Sequence, residues 1–99
     1  MKKIKNIHPG EVLLKEFLVP LKIRQVQLCK ATGIPQSRIF EIVEGNRGIT
    51  ANTAIRLGHY FSNSPKFWLG LQNDFDIEEE KQNNKEEYKL MKKLDIHAA

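Results

Sequence analysis

Ninety-nine residues is the length of one small domain, because separate cores usually need about 100–200 residues each. With 40% hydrophobic and 28% charged residues, the composition is that of a globular chain, neither disordered nor fibrous. No apolar run exceeds three residues (Val12–Leu14, Phe17–Val19, Phe67–Leu69), far short of the roughly 20 that a membrane span needs.

The basic start, Met1 to Lys5, is like the head of a signal peptide, but no apolar stretch follows it. The single cysteine, Cys29, cannot form an intrachain disulfide, so a cytoplasmic protein folded by packing alone is expected. Charge is unevenly placed. Residues 1–73 carry eleven Lys and Arg against four Asp and Glu, a net of +7; residues 74–99 carry five against eight, a net of −3. A basic body attracts polyanions through its long-range field, although the same charge also serves a merely soluble surface.

The chain reads as helices throughout. The one strand-like alternation, Lys3 to Ile7, is too short to build a sheet. Pro9 suits the first position of a helix, where its missing N–H has no partner to lose, and Glu11 favours the positive end of the helix dipole. His8 stands where an N-cap would sit. Leu14, Phe17, Leu18 and Leu21 form an apolar stripe at helical spacing, and Pro20 ends this first helix, roughly 9–19. A second helix spans 25–32, with Val26, Leu28, Cys29 and Ala31 available to pack; Cys29 reads as a buried structural thiol. Gly33 stops it.

Ile34-Pro35 connects to a third helix over about 36–44, stopped by Gly45. Thr50 caps a fourth, 51–61, with Ala54, Leu57 and Phe61 inward. Ser64-Pro65 opens a fifth, carrying Phe67, Trp68, Leu71 and Phe75. Beyond Asp76 the composition turns to Glu, Lys, Asn and Gln, which suits a solvated tail. Tyr88, Met91 and Leu94, at i, i+3 and i+6, instead suggest a final amphipathic helix packed on the body or on a partner chain. The expected organisation is an all-α, five-helix body over 1–76 with a charged, partly helical extension over 77–99.

The second and third helices are joined by three residues that include a glycine. Inside a basic all-helical domain, this is the spacing of a helix-turn-helix, whose second helix enters the major groove by its N-terminal end. At about 100° per residue, Ile39, Ile42 and Val43 share one arc of the third helix. Ser37, Glu41 and Glu44 lie opposite, with Arg38 on the flank and Gln36 at the tip. Arg reads guanine and Gln reads adenine by paired hydrogen bonds. The same polar arc also suits an ordinary solvated helix face.

A longer pattern runs over residues 8–76: His8-Pro9-Gly10-Glu11, then Ser37-Arg38-Ile39, then Arg47-Gly48-Ile49-Thr50, then Ser64-Pro65-Lys66-Phe67-Trp68-Leu69. In this order the motifs resemble the HigA (VapI-type) antidote family, within the phage-repressor-like helix-turn-helix proteins. The resemblance implies an antitoxin of a two-gene module. Such a protein is a homodimer, represses its own pseudo-palindromic operator in double-stranded DNA, and neutralises a cognate mRNA-cleaving toxin.

Carried over by position, the resemblance puts Gln36, Ser37, Arg38 and Glu41 at base edges. It puts Gln25, Asn46 and Arg47 at phosphates, Gln25 being helped by the free N–H groups of its helix start. Glu41, three residues after Arg38, is placed to hold that guanidinium or to accept from cytosine N4, and an ordinary exposed glutamate is the third reading. Phe40 departs from the polar residue expected there. Its arc borders the core, so packing against a neighbouring helix is the first reading and a thymine methyl the second.

The histidines, His8, His59 and His97, are scattered, and no zinc, phosphate-loop or nucleophile motif is present. Neither an enzyme nor a metal or cofactor site is expected. A repressor without a toxin partner, and a protein-interaction module with secondary DNA binding, are the alternatives. Phe67, Trp68, Leu71 and Phe75 offer more apolar surface than a fifth helix on so small a body is expected to hide, so they are the expected dimer interface.

Overall fold

The computed structural model describes residues 5–97, and every regular element among them is a helix. Lys3 and Ile4, which begin the strand-like alternation, lie outside the described residues. The first helix, α1, runs in α form over Pro9–Val12 and in the wider π form over Leu13–Leu18. There follow α2 (Gln25–Thr32), α3 (Gln36–Val43), α4 (Ala51–Phe61), α5 (Pro65–Asn83) and α6 (Lys85–Lys89).

His8 caps α1 as its position suggests: the Gly10 N–H donates to His8 Nδ1 at 2.9 Å. After Val12 the hydrogen bonds reach five residues back, as from the Val19 N–H to the Leu14 carbonyl at 2.9 Å. That widening changes which residues share a face. Leu13 and Leu18, five apart, are buried together; Leu14 and Phe17 pack only partly, and Leu21, expected in the stripe, is exposed. Gly10 is where α1 meets α3. A Cβ there would stand 1.7 Å from the Ile42 carbonyl oxygen, so only glycine permits this approach.

The core joins all five long helices and the turns between them: Leu13, Leu18, Leu28, Ile34, Ile39, Ile42, Ile49, Ala54, Leu57 and Trp68. Trp68 lies at 0% exposure, with Phe17 and Phe61 around it at ring-centroid distances of 4.9 and 5.9 Å. Its indole N–H donates to Asn63 Oδ1 at 2.8 Å, so the buried ring leaves no polar group unpaired. The expectation that this tryptophan faces a partner chain meets a physical obstacle, since aromatics from α1 and α4 already enclose it. Leu71 packs partly on the same core, Phe75 is half-buried edge-on to His8, and Phe67 keeps 41% of its surface exposed.

Thr50 precedes α4 as expected, but its side chain makes no capping bond; its carbonyl takes the Ala54 N–H at 2.8 Å. Ser64 does cap α5 through its hydroxyl oxygen. Helix α5 then runs straight through the composition change after Asp76. Glu, Lys and Gln are strong helix formers, and i,i+4 bonds such as Gln72 to Asp76 and Gln82 to Glu78 support the exposed turns. At Asn84 the chain turns into the short α6, which Tyr88 ties back to α5 by donating to Glu80 Oε2 at 2.6 Å. The helix expected to carry Tyr88, Met91 and Leu94 ends at Lys89. The Leu90 and Met91 N–H groups bond three residues back, to the Glu87 and Tyr88 carbonyls at 3.2 and 3.3 Å, which tightens and closes the helix. Met91 and Leu94 lie exposed outside it.

Candidate nucleic-acid interface

Helices α2 and α3 make the turn that the sequence predicts. Gly33 takes φ +76°, a conformation in which a side chain would be strained, and its N–H closes α2 on the Cys29 carbonyl at 2.9 Å. Ile34 then enters the core and Pro35 starts α3. Ile39 and Ile42 are fully buried and Val43 partly so, which fixes the rotation of α3 about its axis. Gln36 and Ser37 are thereby exposed on its first turn, and Glu44 at the position that caps its end. Cys29 is half-buried rather than fully enclosed, and that burial pushes its thiol pKa up.

The arginines beside this helix are held, not free. Arg38 is half-buried and donates from its Nη1 to Asn52 Oδ1 at 2.9 Å. The same oxygen accepts from Arg56 Nε at 3.1 Å, and Arg56 also donates to the Thr32 carbonyl at 2.7 Å. One chain of bonds therefore runs from α3 through α4 to the end of α2. The second connects Arg47 Nε to Glu41 Oε2 at 2.6 Å. The expected Glu41–Arg38 contact is thus replaced by two others: Glu41 takes the arginine of the following loop, and Arg38 takes an amide on the next helix. Gln25, half-buried at the start of α2, and Asn46, exposed after α3, join neither chain.

Phe40 departs from its first reading. It is 55% exposed, so it is not packed against a neighbouring helix. Sequence reasoning gives neither Asn52 nor Arg56 a role at the site, although Arg56-Leu57 belongs to the family pattern. The signal for them was faint: an amide and a guanidinium four apart on the polar side of α4, beginning two residues after Thr50.

Behind the site, Gln72 of α5 accepts the Ile49 N–H at 2.7 Å and so steadies the loop that carries Arg47. His8 lies against Phe75, and its burial there holds its pKa below the ordinary imidazole value, although Asp76 pulls the other way. Among the described residues, no group of three or more His, Cys, Asp or Glu side chains is gathered as a metal site would require. Nor is any helix among them long and apolar enough to cross a membrane.

A glycine-turned helix pair, with the polar start of its second helix exposed and arginines gathered along its flank, defines a helix-turn-helix protein. The HTH_3 helix-turn-helix family profile matches residues 14–68. Virulence-associated protein I of Dichelobacter nodosus is 46% identical over 71 residues, 72% of this chain and 66% of that protein. Antitoxin HigA-1 of Vibrio cholerae is 33% identical over 96 residues, 95% of this chain and 90% of the antitoxin. Among solved structures, the Pseudomonas aeruginosa antitoxin HigA with higBA promoter superposes with a TM-score of 0.86 at 35% identity, covering 91% of this chain and 99% of that one. The chain belongs to the HigA antitoxin family of helix-turn-helix proteins.

Proposed function

We propose that this chain is the antitoxin of a HigBA-type module: a cytoplasmic, homodimeric, sequence-specific autorepressor that also neutralises an mRNA-cleaving toxin and carries no enzymatic activity of its own. The observation that carries the DNA half is the exposed start of α3 with its arginines already oriented, Arg38 by Asn52 and Arg47 by Glu41. Gln36, Ser37 and Arg38 read base edges. Glu41 adjoins them, able to accept from cytosine N4 when it releases Arg47. Gln25, Asn46 and Arg47 meet phosphates and set the register. The relative solved with its promoter supports this assignment through its likeness over nearly the whole chain.

The protein half rests on a different surface. Ile77, Tyr88 and Met91 are exposed around an open cavity of about 560 Å³ between α5 and the segment formed by α6 and the residues just after it. An apolar patch of this kind fits a second copy or the toxin. Of the four residues expected at a dimer interface, Phe67 retains the exposed surface such a role needs.

The test is selection of preferred duplexes from a random-sequence DNA library, followed by fluorescence anisotropy across salt concentrations. The expected result is a two-fold symmetric site with half-sites about 34–36 Å apart, and affinity that falls steeply with salt. No sequence preference and a flat salt dependence would transfer the function to the apolar patch, as a protein-binding module.

A further inference from the structure

We propose that Phe40 is a specificity-determining residue that reads a thymine methyl group in each DNA half-site; the proposal rests on the DNA-binding reading above. Helix α3 has eight residues, and its inward arc is already complete with Ile39, Ile42 and Val43. Phe40 is left 55% exposed beside them, and it takes no part in the ring–ring contacts found among the described residues. It stands one turn after Gln36 on the same side of the helix, next to the outward arc of Ser37 and Glu44.

An exposed phenylalanine in that position needs an apolar partner from whatever α3 enters. Phosphates and sugar edges are polar, and the major-groove edges of the four base pairs offer one apolar group, the C5-methyl of thymine. Charge does not oppose the contact. Arg38 lies about 200° around the helix from Phe40, drawn to Asn52. Glu41 lies about 100° from Phe40, where its carboxylate is turned to Arg47 in the free chain and to cytosine N4 in the proposed complex. The two flanks of α3 thus carry different chemistry, a guanidinium suited to guanine on one and a ring suited to thymine on the other.

The experiment uses the full chain and the duplex it selects from the random library, with each thymine replaced in turn by deoxyuridine, which removes only the methyl. One replacement per half-site lowers the wild-type affinity about fourfold, the worth of one buried CH2-sized group. Phe40→Ala loses sensitivity at that position alone, and Phe40→Leu keeps part of it. Thermal melting checks that both variants fold. Wild-type indifference to every replacement, or a Phe40→Ala protein that still senses the same methyl, overturns the proposal while leaving DNA binding intact. A Phe40→Ala chain that changes its oligomeric state in sedimentation and not its base preference also overturns it, and assigns the ring to a protein contact. Failure to select any duplex removes the DNA-binding reading itself and this proposal with it.

Discussion

Asn52→Ala separates a residue that positions Arg38, the arginine proposed to read bases, from one that touches DNA. The amide oxygen of Asn52 is the shared acceptor for Arg38 at 2.9 Å and Arg56 at 3.1 Å. Asn52 and Arg56 are exposed and Arg38 half-buried, so stability should hardly change, staying near the low end of the roughly 0.5–1.5 kcal/mol of a net hydrogen bond. Binding should respond more. Without its acceptor, Arg38 must be ordered when DNA binds, which costs about 0.5–1.5 kcal/mol for a long side chain, or roughly a twofold to tenfold loss of affinity. The decisive assay is a double-mutant cycle with Arg38→Ala, read by anisotropy on the selected duplex. If Asn52 acts through Arg38, Asn52→Ala adds nothing once Arg38 is gone. Full additivity would refute the positioning argument and place Asn52 on the DNA directly.

Other outcomes follow from the same geometry. Arg38→Ala should relax the preferred base at one position per half-site, with a loss of roughly 1–3 kcal/mol. Arg47→Ala should lower affinity evenly across single-base variants and flatten the salt slope; a reversal of these two patterns means that α3 enters the groove the other way round. Trp68→Ala should destabilise the fold by about 3–5 kcal/mol in urea unfolding, with the same shift at low and high protein concentration, whereas a shift that vanishes on dilution would mean an interface residue. His8 has a folded pKa below its ordinary 6.5, and its neutral Nδ1 accepts the helix-capping bond. Its contribution should be complete above pH 6.5 and lost as pH falls through the lowered value, so melting temperature should drop there more for the parent than for His8→Asn; parallel curves would count against the histidine.

Where one short stretch of chain decides the outcome, the sequence is legible. His8-Pro9, Gly33 and Ser64-Pro65 mark helix ends through their own backbone and capping chemistry, and each end is found in place. The inward arc of α3 is equally local, because eight residues at regular helical spacing leave little choice. Longer reach defeats the reading. The π turns of α1 alter its period, so Leu13 replaces Leu21 in the core. A count of aromatics on α5 alone takes Trp68 for surplus, because the rings that enclose it come from Phe17 and Phe61. At the site, Arg38 is easily recognised, but its partner lies fourteen residues on, across a loop. No spacing rule reaches that far.

Glu41 is the residue whose presence on a DNA-facing helix most needs a physical reason. A carboxylate near phosphates weakens binding, and here it also occupies Arg47, one of the cations proposed to meet them. Both partners are substantially exposed, so the ion pair is worth about 0–1 kcal/mol. That is small beside the roughly 4–10 kcal/mol that separates specific from non-specific DNA binding. A specific complex therefore forms in spite of it. Non-specific encounters fare differently, because they depend on phosphate contacts and each must first draw Arg47 away from Glu41, a handicap of up to about fivefold at 1 kcal/mol. In the base-edge role proposed for Glu41, cytosine N4 at the right half-site would offer the released carboxylate a new donor, so the loss would be made good only where the sequence matches. In that proposed role Glu41 would sharpen recognition by weakening the alternatives, withholding a cation from arbitrary DNA and yielding it to the operator.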